Sequence, residues 1–461
     1  MRLLSSLVGV AIVAFTAAPI ARQGLENIRR SPDRFSMRVV ATGLASPWEL
    51  AWGPDQHLWV TERVGKRVLR VNPESGATAT LVTVSDVVQT VAQDGLLGLA
   101  FHPDFLRGTG NDHVFLALTY DASPGADVAL RMAIRRYRYD SSSQTLSDAV
   151  TVLPDLPAHD DHLGGRLVVG LDRKLYLGIG DQGSNWLGNR CRPNRAQDLP
   201  TVADVSARNW STYAGKILRI DLDGAIPADN PVINGVRSHV FSYGHRNPLG
   251  LVVGPEGRLY ESEHGPDTDD EVNLISAGMN YGWPFVAGFR DDKAYVWANW
   301  SASSPTPCSA LTGDGPPPAS VARQAETAWN HPQLTPPLRT FFTWDIVPGA
   351  AQSGGTIAPG GLDMHVAGRG VPGWNDSLLV LSMVRGVVYR VPLAPGGRSV
   401  QEPPVEVFKT TNRYRDIAIH PTQRVFYFAT DPSGRSADET GAPTQKLANP
   451  GSILEFSYVE P

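Results

Sequence analysis

A chain of 461 residues with 42% hydrophobic content has enough apolar material for a sizeable core. Its formal net charge of −5 leaves no basic footprint for nucleic acid or an anionic membrane surface. Glycine and proline, 45 and 37 residues, suit a fold with many turns and long loops.

Arg2 precedes an apolar run from Leu3 to Ala18, and small residues follow at Ala17, Ala18 and Ala21. Residues 1–22 therefore read as a secretory signal peptide. An uncleaved anchor is the alternative, but the run is short for a span. No later stretch is apolar enough for long enough to cross a bilayer. The expectation is an exported chain, periplasmic or secreted, without a membrane span. Export permits a disulfide, yet Cys191 and Cys308 both fall in Pro- and Asn-rich loops. The sequence leaves a bridge and two separate thiols equally open.

After a polar leader at 23–35, one phrase recurs: an apolar alternating strand, a turn, a second strand. Pro47–Pro54 leads into Leu58–Glu62, and Leu97–Pro103 into Val114–Ala117. Gly165–Val169 leads into Leu175–Ile179, Gly250–Pro255 into Leu259–Glu261, and Asp416–Pro421 into Val425–Ala429. A weaker copy spans Thr356–Leu381. Repeated sheets of this kind indicate a β-propeller, whose blades bury their faces only against neighbouring blades. The alternating segment Gly451–Tyr458 is expected to complete a blade with the N-terminal strand and close the ring. Two long insertions interrupt the pattern, Gly183–Tyr213 and Asp291–Pro337. The first is expected to wall a pocket, the second to run over the surface.

Just before each phrase stand polar, chemically varied residues: Gln93-Asp94, Asp161-His162, Arg246-Asn247 and Arg413-Tyr414-Arg415. Equivalent positions in successive blades converge on one end of the channel. His162 is a natural general base, and Asp181, at the end of the paired strand, is placed to orient its ring. The plain alternative is a surface histidine. Arg246 offers a forked cation for a carboxylate or a developing oxyanion, against a plain strand-end role. The loop Ser262–Glu271 combines backbone carbonyls at Gly265-Pro266 with carboxylates, an oxygen-rich setting for Ca²⁺ or else a solvated acidic turn. Arg413 and Arg415, two apart, share one strand face and suit a polyanion.

These motifs, in this order, resemble the soluble pyrroloquinoline quinone (PQQ)-dependent glucose and aldose sugar dehydrogenases, the glucose/sorbosone dehydrogenase family. The likeness runs through Gln93–Pro103, Asp161–Leu167, Ile179–Gly183, Gly244–Pro248, Gly265-Pro266 with Asp269–Glu271, and Asn412–Asp416, and covers roughly 36–459. It implies an all-β fold, a six-bladed β-propeller of four-stranded antiparallel sheets. It implies PQQ held at the channel mouth by Gln93, Asp161, His162, Arg246, Asn247, Thr356, Arg413 and Arg415. It implies His162 as base, Asp181 as its partner, Arg246 polarising the quinone oxygens, and Ca²⁺ on the carbonyls of Gly265 and Pro266. A second Ca²⁺ site near a homodimer interface is implied at Ala287, Phe289, Asp291 and Glu326. The substrate implied is an aldose sugar, oxidised at C1 to the lactone, with electrons passed to an external acceptor.

The chain departs from the family at Val384, where a lysine contacts a cofactor carboxylate. Arg385 is next in sequence but is expected to point the other way on a strand. Asp345–Gly355 is short and lacks the aromatic groups that flank the sugar in other members. Two other classes compete: a calcium-dependent propeller hydrolase, lactonase-like, which needs a central ion held by several side-chain carboxylates, and a non-catalytic binding propeller, for which Val384 is the best argument.

Overall fold

The computed structural model describes residues 28–31, 33–90, 93–125, 127–293, 295–312, 316–343, 355–368, 370–401 and 403–460. The signal-peptide expectation lies outside them, as does nearly all of the short segment 345–355.

Each recurring phrase forms the first two strands of an antiparallel blade. Blade 1 is Pro47–Trp52, Leu58–Glu62, Arg67–Val71 and Thr78–Thr83. Blade 2 is Leu96–Phe101, His113–Asp121, Leu130–Asp140 and Thr145–Pro157. Blade 3 is Gly164–Val169, Leu175–Ile179, Lys216–Ile220 and Val240–Tyr243. Blade 4 is Pro248–Val253, Leu259–Glu263, Asp270–Ile275 and Arg339–Phe341. Blade 5 is Pro359–His365, Ser377–Ser382, Val388–Pro392 and Val405–Val407, with Arg29–Arg30 added parallel at its outer edge. Blade 6 is Tyr414–Ile419, Val425–Thr430, Ile453–Tyr458 and, outermost, Phe35–Ala41. Met37 sits opposite Phe456, so the two ends of the chain share one sheet and close the ring as expected.

The first strands touch one another in an unbroken circuit around the axis. Apolar residues fill the wedges between blades. Phe115, Met132 and Ile134 of blade 2 join Leu167, Leu177 and Leu218 of blade 3 in one cluster, all at most 1% exposed. Each such side chain contributes about 1.5–3 kcal/mol by leaving water, a gain no blade collects alone.

Every first strand carries a register shift near its start, as between Gly164 and Leu167 or Tyr414 and Asp416. Bulges at strand ends re-aim side chains. Here they turn the residues preceding each blade out of the sheet and over one rim.

Below that rim Arg166 reaches from its own first strand to three others. Its Nε donates to Leu249 O at 2.9 Å, and Nη1 reaches Asp416 Oδ2 at 2.8 Å and Glu49 Oε1 at 2.5 Å. Gly361 of blade 5 is required there, because a Cβ would fall 1.9 Å from Asp416 Oδ1. The channel carboxylates thus face a guanidinium. That does not suit the central ion a propeller hydrolase needs.

Candidate active site

His162 stands at the turn into blade 3 with φ +42°, a left-handed conformation that costs a non-glycine residue energy. The turn is held from both sides. Asp161 Oδ1 accepts the His162 N–H at 2.9 Å and Gln93 Nε2 at 2.8 Å. The His162 carbonyl accepts from Gln182 N at 3.2 Å and lies against Gly180, where a Cβ would sit 2.0 Å away.

The imidazole Nδ1 lies 2.7 Å from Asp181 Oδ1. That carboxylate is 1% exposed and collects three further donors: Gly183 N at 2.9 Å, Asn194 Nδ2 at 2.8 Å and Trp283 Nε1 at 2.6 Å. Burial alone would raise its pKa, but His162, Arg246 and the donors outweigh that and hold it below the usual carboxylate value. An ionised Asp181 accepts only, so Nδ1 carries a proton, and in the neutral ring Nε2 is then the nitrogen with the lone pair.

Arg246 is fixed through its backbone as well as its side chain. Its carbonyl accepts from Asp181 N at 2.7 Å and its N–H donates to Glu263 Oε2 at 2.6 Å. The guanidinium lies 5.3 Å over Trp283 and 6.0 Å from the Trp186 ring, with one N–H on His264 O at 3.3 Å. Its Nε is buried without a partner, as is Gln93 Oε1. Asn247 uses Oδ1 to accept Gly164 N at 3.2 Å, which leaves its amide Nδ2 for a ligand.

Arg413 and Arg415 share a face as expected, and both grip Asp431. Arg413 Nε is 2.7 Å from Oδ2, and Arg415 reaches both oxygens at 2.8 Å. Burial raises Asp431, but the two guanidiniums dominate and keep it ionised. Arg415 also covers Trp48 at 4.6 Å. His264 connects the two sides of the rim. Burial first, then Arg246, His162 and Arg415, hold its imidazole far below the ordinary value, and its Nε2 meets Pro359 O at 2.8 Å. A neutral Nε2–H donating to that carbonyl accounts for both.

The Gly265-Pro266 carbonyls accept no hydrogen bond among the described residues, so both oxygens suit a hard cation. Asp270, in the same acidic loop, is fully used elsewhere. It accepts Gly265 N at 2.9 Å, Thr356 Oγ1 at 2.6 Å and Ile357 N at 2.7 Å, and burial pushes it up to about 6. Thr356 is therefore tied to the Gly265 loop. The second metal set also gathers: Glu326, 1% exposed, accepts Ala287 N at 2.9 Å and Asp292 N at 3.1 Å. Burial pushes its carboxyl up to about 8, with Asp269 and Asp291 adding to the rise. Phe289 belongs to the same segment. The buried Glu326 and the half-buried Asp291 offer carboxylate oxygens of the kind a divalent cation takes.

Cys191 and Cys308 are disulfide-bonded, which settles the open question. The bridge joins the two insertions, so the second is not a mere surface excursion. Asn185 Nδ2 donates to Ala298 O at 2.8 Å across the same seam. The first insertion does wall the site, through Trp186 and Asn194. Arg385 corrects another expectation. It lies past the strand Ser377–Ser382, in a turn where strand alternation does not apply, and its Nε donates to Thr356 O at 3.1 Å. Val384 packs against the apolar cluster that contains Trp48, Ala358 and Met383. Trp186, Asn194, Trp283, His264 and Asp431 are not singled out by the sequence pattern, because each lies in an aperiodic loop and acts across a long sequence separation.

A propeller whose blade-end loops build a base–carboxylate pair, a stacked arginine and a pair of open carbonyls on one rim defines a ligand-binding enzyme of the dehydrogenase type. The family model described as Glucose / Sorbosone dehydrogenase matches residues 44–302, and the chain belongs to that oxidoreductase family. It is 40% identical over 470 residues to quinoprotein glucose dehydrogenase B of Acinetobacter calcoaceticus, covering 99% of this chain and 97% of that one. It is 32% identical over 275 residues to aldose sugar dehydrogenase YliI of Escherichia coli, covering 57% and 67%. The PQQ-bound aldose sugar dehydrogenase of Streptomyces coelicolor superposes with a TM-score of 0.62 at 26% identity, covering 93% and 99%.

Proposed function

We propose that the protein oxidises an aldose sugar at C1 to its lactone, using PQQ and Ca²⁺, and passes the electrons to an external acceptor. The observation that carries this reading is the His162–Asp181 pair beside Arg246, on a rim lined by groups suited to a polyanionic cofactor. Nε2 of His162 takes the proton of the anomeric hydroxyl, and the ionised Asp181 stabilises the imidazolium that results. When bound, PQQ supplies the hydride acceptor. Arg246, with its unpartnered Nε and its stacking on Trp283, offers a fixed positive charge to oxygens that become negative. Arg413, Arg415, Asn247, Gln93, Asp161 and Thr356 hold the cofactor's polar groups. Gly265 and Pro266 would hold one Ca²⁺, and Ala287, Phe289, Asp291 and Glu326 would hold a second near a homodimer contact. No helix among the described residues is long and apolar enough to cross a membrane, and we place the mature chain in the periplasm or outside the cell.

The test is reconstitution. Chelated protein receives PQQ and Ca²⁺ separately and together, and dye reduction is followed over a panel of aldoses. Sugar-dependent reduction only with both additions supports the reading. PQQ binding without turnover on any sugar would leave a binding propeller, and ester or lactone hydrolysis without PQQ would move the protein to the hydrolases.

A further inference from the structure

Three buried carboxylates share one face of blade 4. Glu261 and Glu263 alternate along its second strand and stand opposite Asn273 and Glu271 on the third. All four are at most 6% exposed. A face between blades is ordinarily apolar, and like charges directly opposite each other destabilise a strand pair. Asn273 Nδ2 is the shared donor, 3.0 Å from Glu261 Oε2, 3.0 Å from Glu271 Oε2 and 3.4 Å from Glu263 Oε1. One amide does not balance three carboxylates. Lys216, the buried ammonium nearby, spends its donors on the carbonyls of Arg195, Ala196 and Ala214. The Arg246 guanidinium is turned to Trp283 and His264 O.

His245 closes the remaining side and is itself 0% exposed. Its Nδ1 is 3.3 Å from Glu263 Oε1, and its Nε2 is 2.9 Å from Ser242 Oγ. Metal–ligand bonds of about 2.0–2.2 Å at a tetrahedral angle separate two donors by roughly 3.3–3.6 Å, which matches the first spacing. In the tautomer whose Nε2–H donates to Ser242 Oγ, the Nδ1 lone pair is turned inward, and that is the outer-shell contact metal-bound histidines use. Two atoms in this wedge have no hydrogen-bond partner, Glu261 Oε1 and Asn273 Oδ1, and both side chains are 0% exposed. One ligand atom from each of His245, Glu261 and Glu263 lies within 4.8 Å of the others.

We propose that His245, Glu261 and Glu263 bind one divalent transition-metal cation of the zinc type in the wedge between blades 3 and 4, with Asn273 Oδ1 completing the set once that amide turns over. The nitrogen donor and the closed, low-coordinate surroundings favour such an ion over Ca²⁺, which takes larger all-oxygen shells. The site is structural. Glu263 Oε2 accepts the backbone N–H groups of Arg246 at 2.6 Å and Asn247 at 3.2 Å, so an ion on Oε1 braces the turn that carries the rim arginine.

The test reads metal content, with no sugar, dye or quinone, so its outcome is independent of the proposed activity. Full-length protein is chelated, saturated with Ca²⁺, then titrated with Zn²⁺ or Co²⁺ and dialysed. Wild type is expected to retain about one equivalent of Zn²⁺ by mass spectrometry, and Co²⁺ to give the intense visible bands of a tetrahedral N/O site. Glu261→Gln and His245→Gln, checked for folding by circular dichroism, are expected to lose at least about tenfold in affinity, in line with loss of a ligand or its support. Less than a tenth of an equivalent in wild type overturns the proposal. So does undiminished retention by a folded Glu261→Gln. An infrared band of protonated carboxylic acid in Zn²⁺-saturated wild type, absent from Glu261→Gln, would show that protons neutralise this face and would also overturn it.

Discussion

Nδ1 of His162 lies 2.7 Å from Oδ1 of Asp181, and the other Asp181 oxygen is held by Trp283 Nε1 at 2.6 Å. The two residues come from opposite ends of one β-hairpin in blade 3, while the tryptophan comes from the long connection between the third and fourth strands of blade 4. The ring is thus locked by two blades before any substrate arrives.

Replacing His162 by Ala removes the proposed base, and sugar-dependent dye reduction should fall by roughly 10²–10⁴. Asp181→Asn keeps the size but no longer demands a proton on Nδ1, and should cost a comparable factor in kcat with KM little changed. PQQ titration of both variants checks that the cofactor still binds. A near-normal kcat in His162→Ala would move the base elsewhere, with Asp161 the nearest candidate at 4.0 Å from Nε2.

The sequence showed the architecture well and the site in part. Six alternating phrases sufficed for the propeller, because each blade must repeat the same inward pattern to bury its faces. His162, Arg246 and Arg413 were legible because they sit just before a first strand, and Arg415 because it follows Arg413 by two, just inside one. Asp431 was not, because it follows a second strand and gains its role only when Arg413 and Arg415 close on it. Trp283 and Trp186 were hidden for a similar reason: stacking on Arg246 leaves no periodic trace. Asp270 was read only as one of the carboxylates in the oxygen-rich segment Ser262–Glu271. Its oxygens accept from Gly265 N, from Thr356 Oγ1 and from the N–H groups of Ile357 and Ala358, which stand just ahead of a strand more than eighty residues away, and no local pattern reveals this.

His239 offers a pH test away from the rim. Its Nε2 meets Gly224 O at 3.1 Å and Nδ1 meets Tyr213 Oη at 3.2 Å, so the ring is neutral, with Nε2–H donating to the carbonyl. Burial pulls its pKa down from 6.5 to about 4. The unfolded chain therefore binds this proton first on acidification. Stability from the neutral ring is complete above about pH 6.5 and is lost as pH falls from there toward 4, by up to about 3 kcal/mol. His239→Gln should flatten that limb. Urea unfolding at pH 7 and pH 4.5 measures it, and equal slopes in both proteins would remove His239 as a contributor.

The Cys191–Cys308 bridge spans 117 residues of sequence and ties together the two insertions that flank Asp181. Its loss should cost about 2–5 kcal/mol. The double Ser variant is expected to melt lower and to be cut by protease first within 183–213 and 291–337. Because Asn194 and Trp186 belong to this wall, PQQ affinity should fall as well. An unchanged melting temperature and digestion pattern would show that the seam, including Asn185 on Ala298 O, suffices alone.

Val384→Lys should tighten PQQ binding. The cofactor carries several carboxylates, and each needs a partner once it leaves water. Arg413 and Arg415 supply two while already sharing Asp431. Val384 supplies none, since it packs on the cluster of Ala358 and Met383. Arg385 reaches the same neighbourhood, donating to Thr356 O at 3.1 Å with its guanidinium 4.5 Å over Phe342. It is committed to the protein in that pose, so it compensates only by leaving those contacts. A charge-assisted hydrogen bond contributes roughly 1.5–3 kcal/mol, which is about one to two decades in Kd. Titrations in saturating Ca²⁺ compare the wild type with Val384→Lys and with Val384→Met, which adds length without charge. A gain for Lys alone supports the missing charge partner. Equal gains for both point to packing instead, and no gain for either means that position 384 does not face the cofactor.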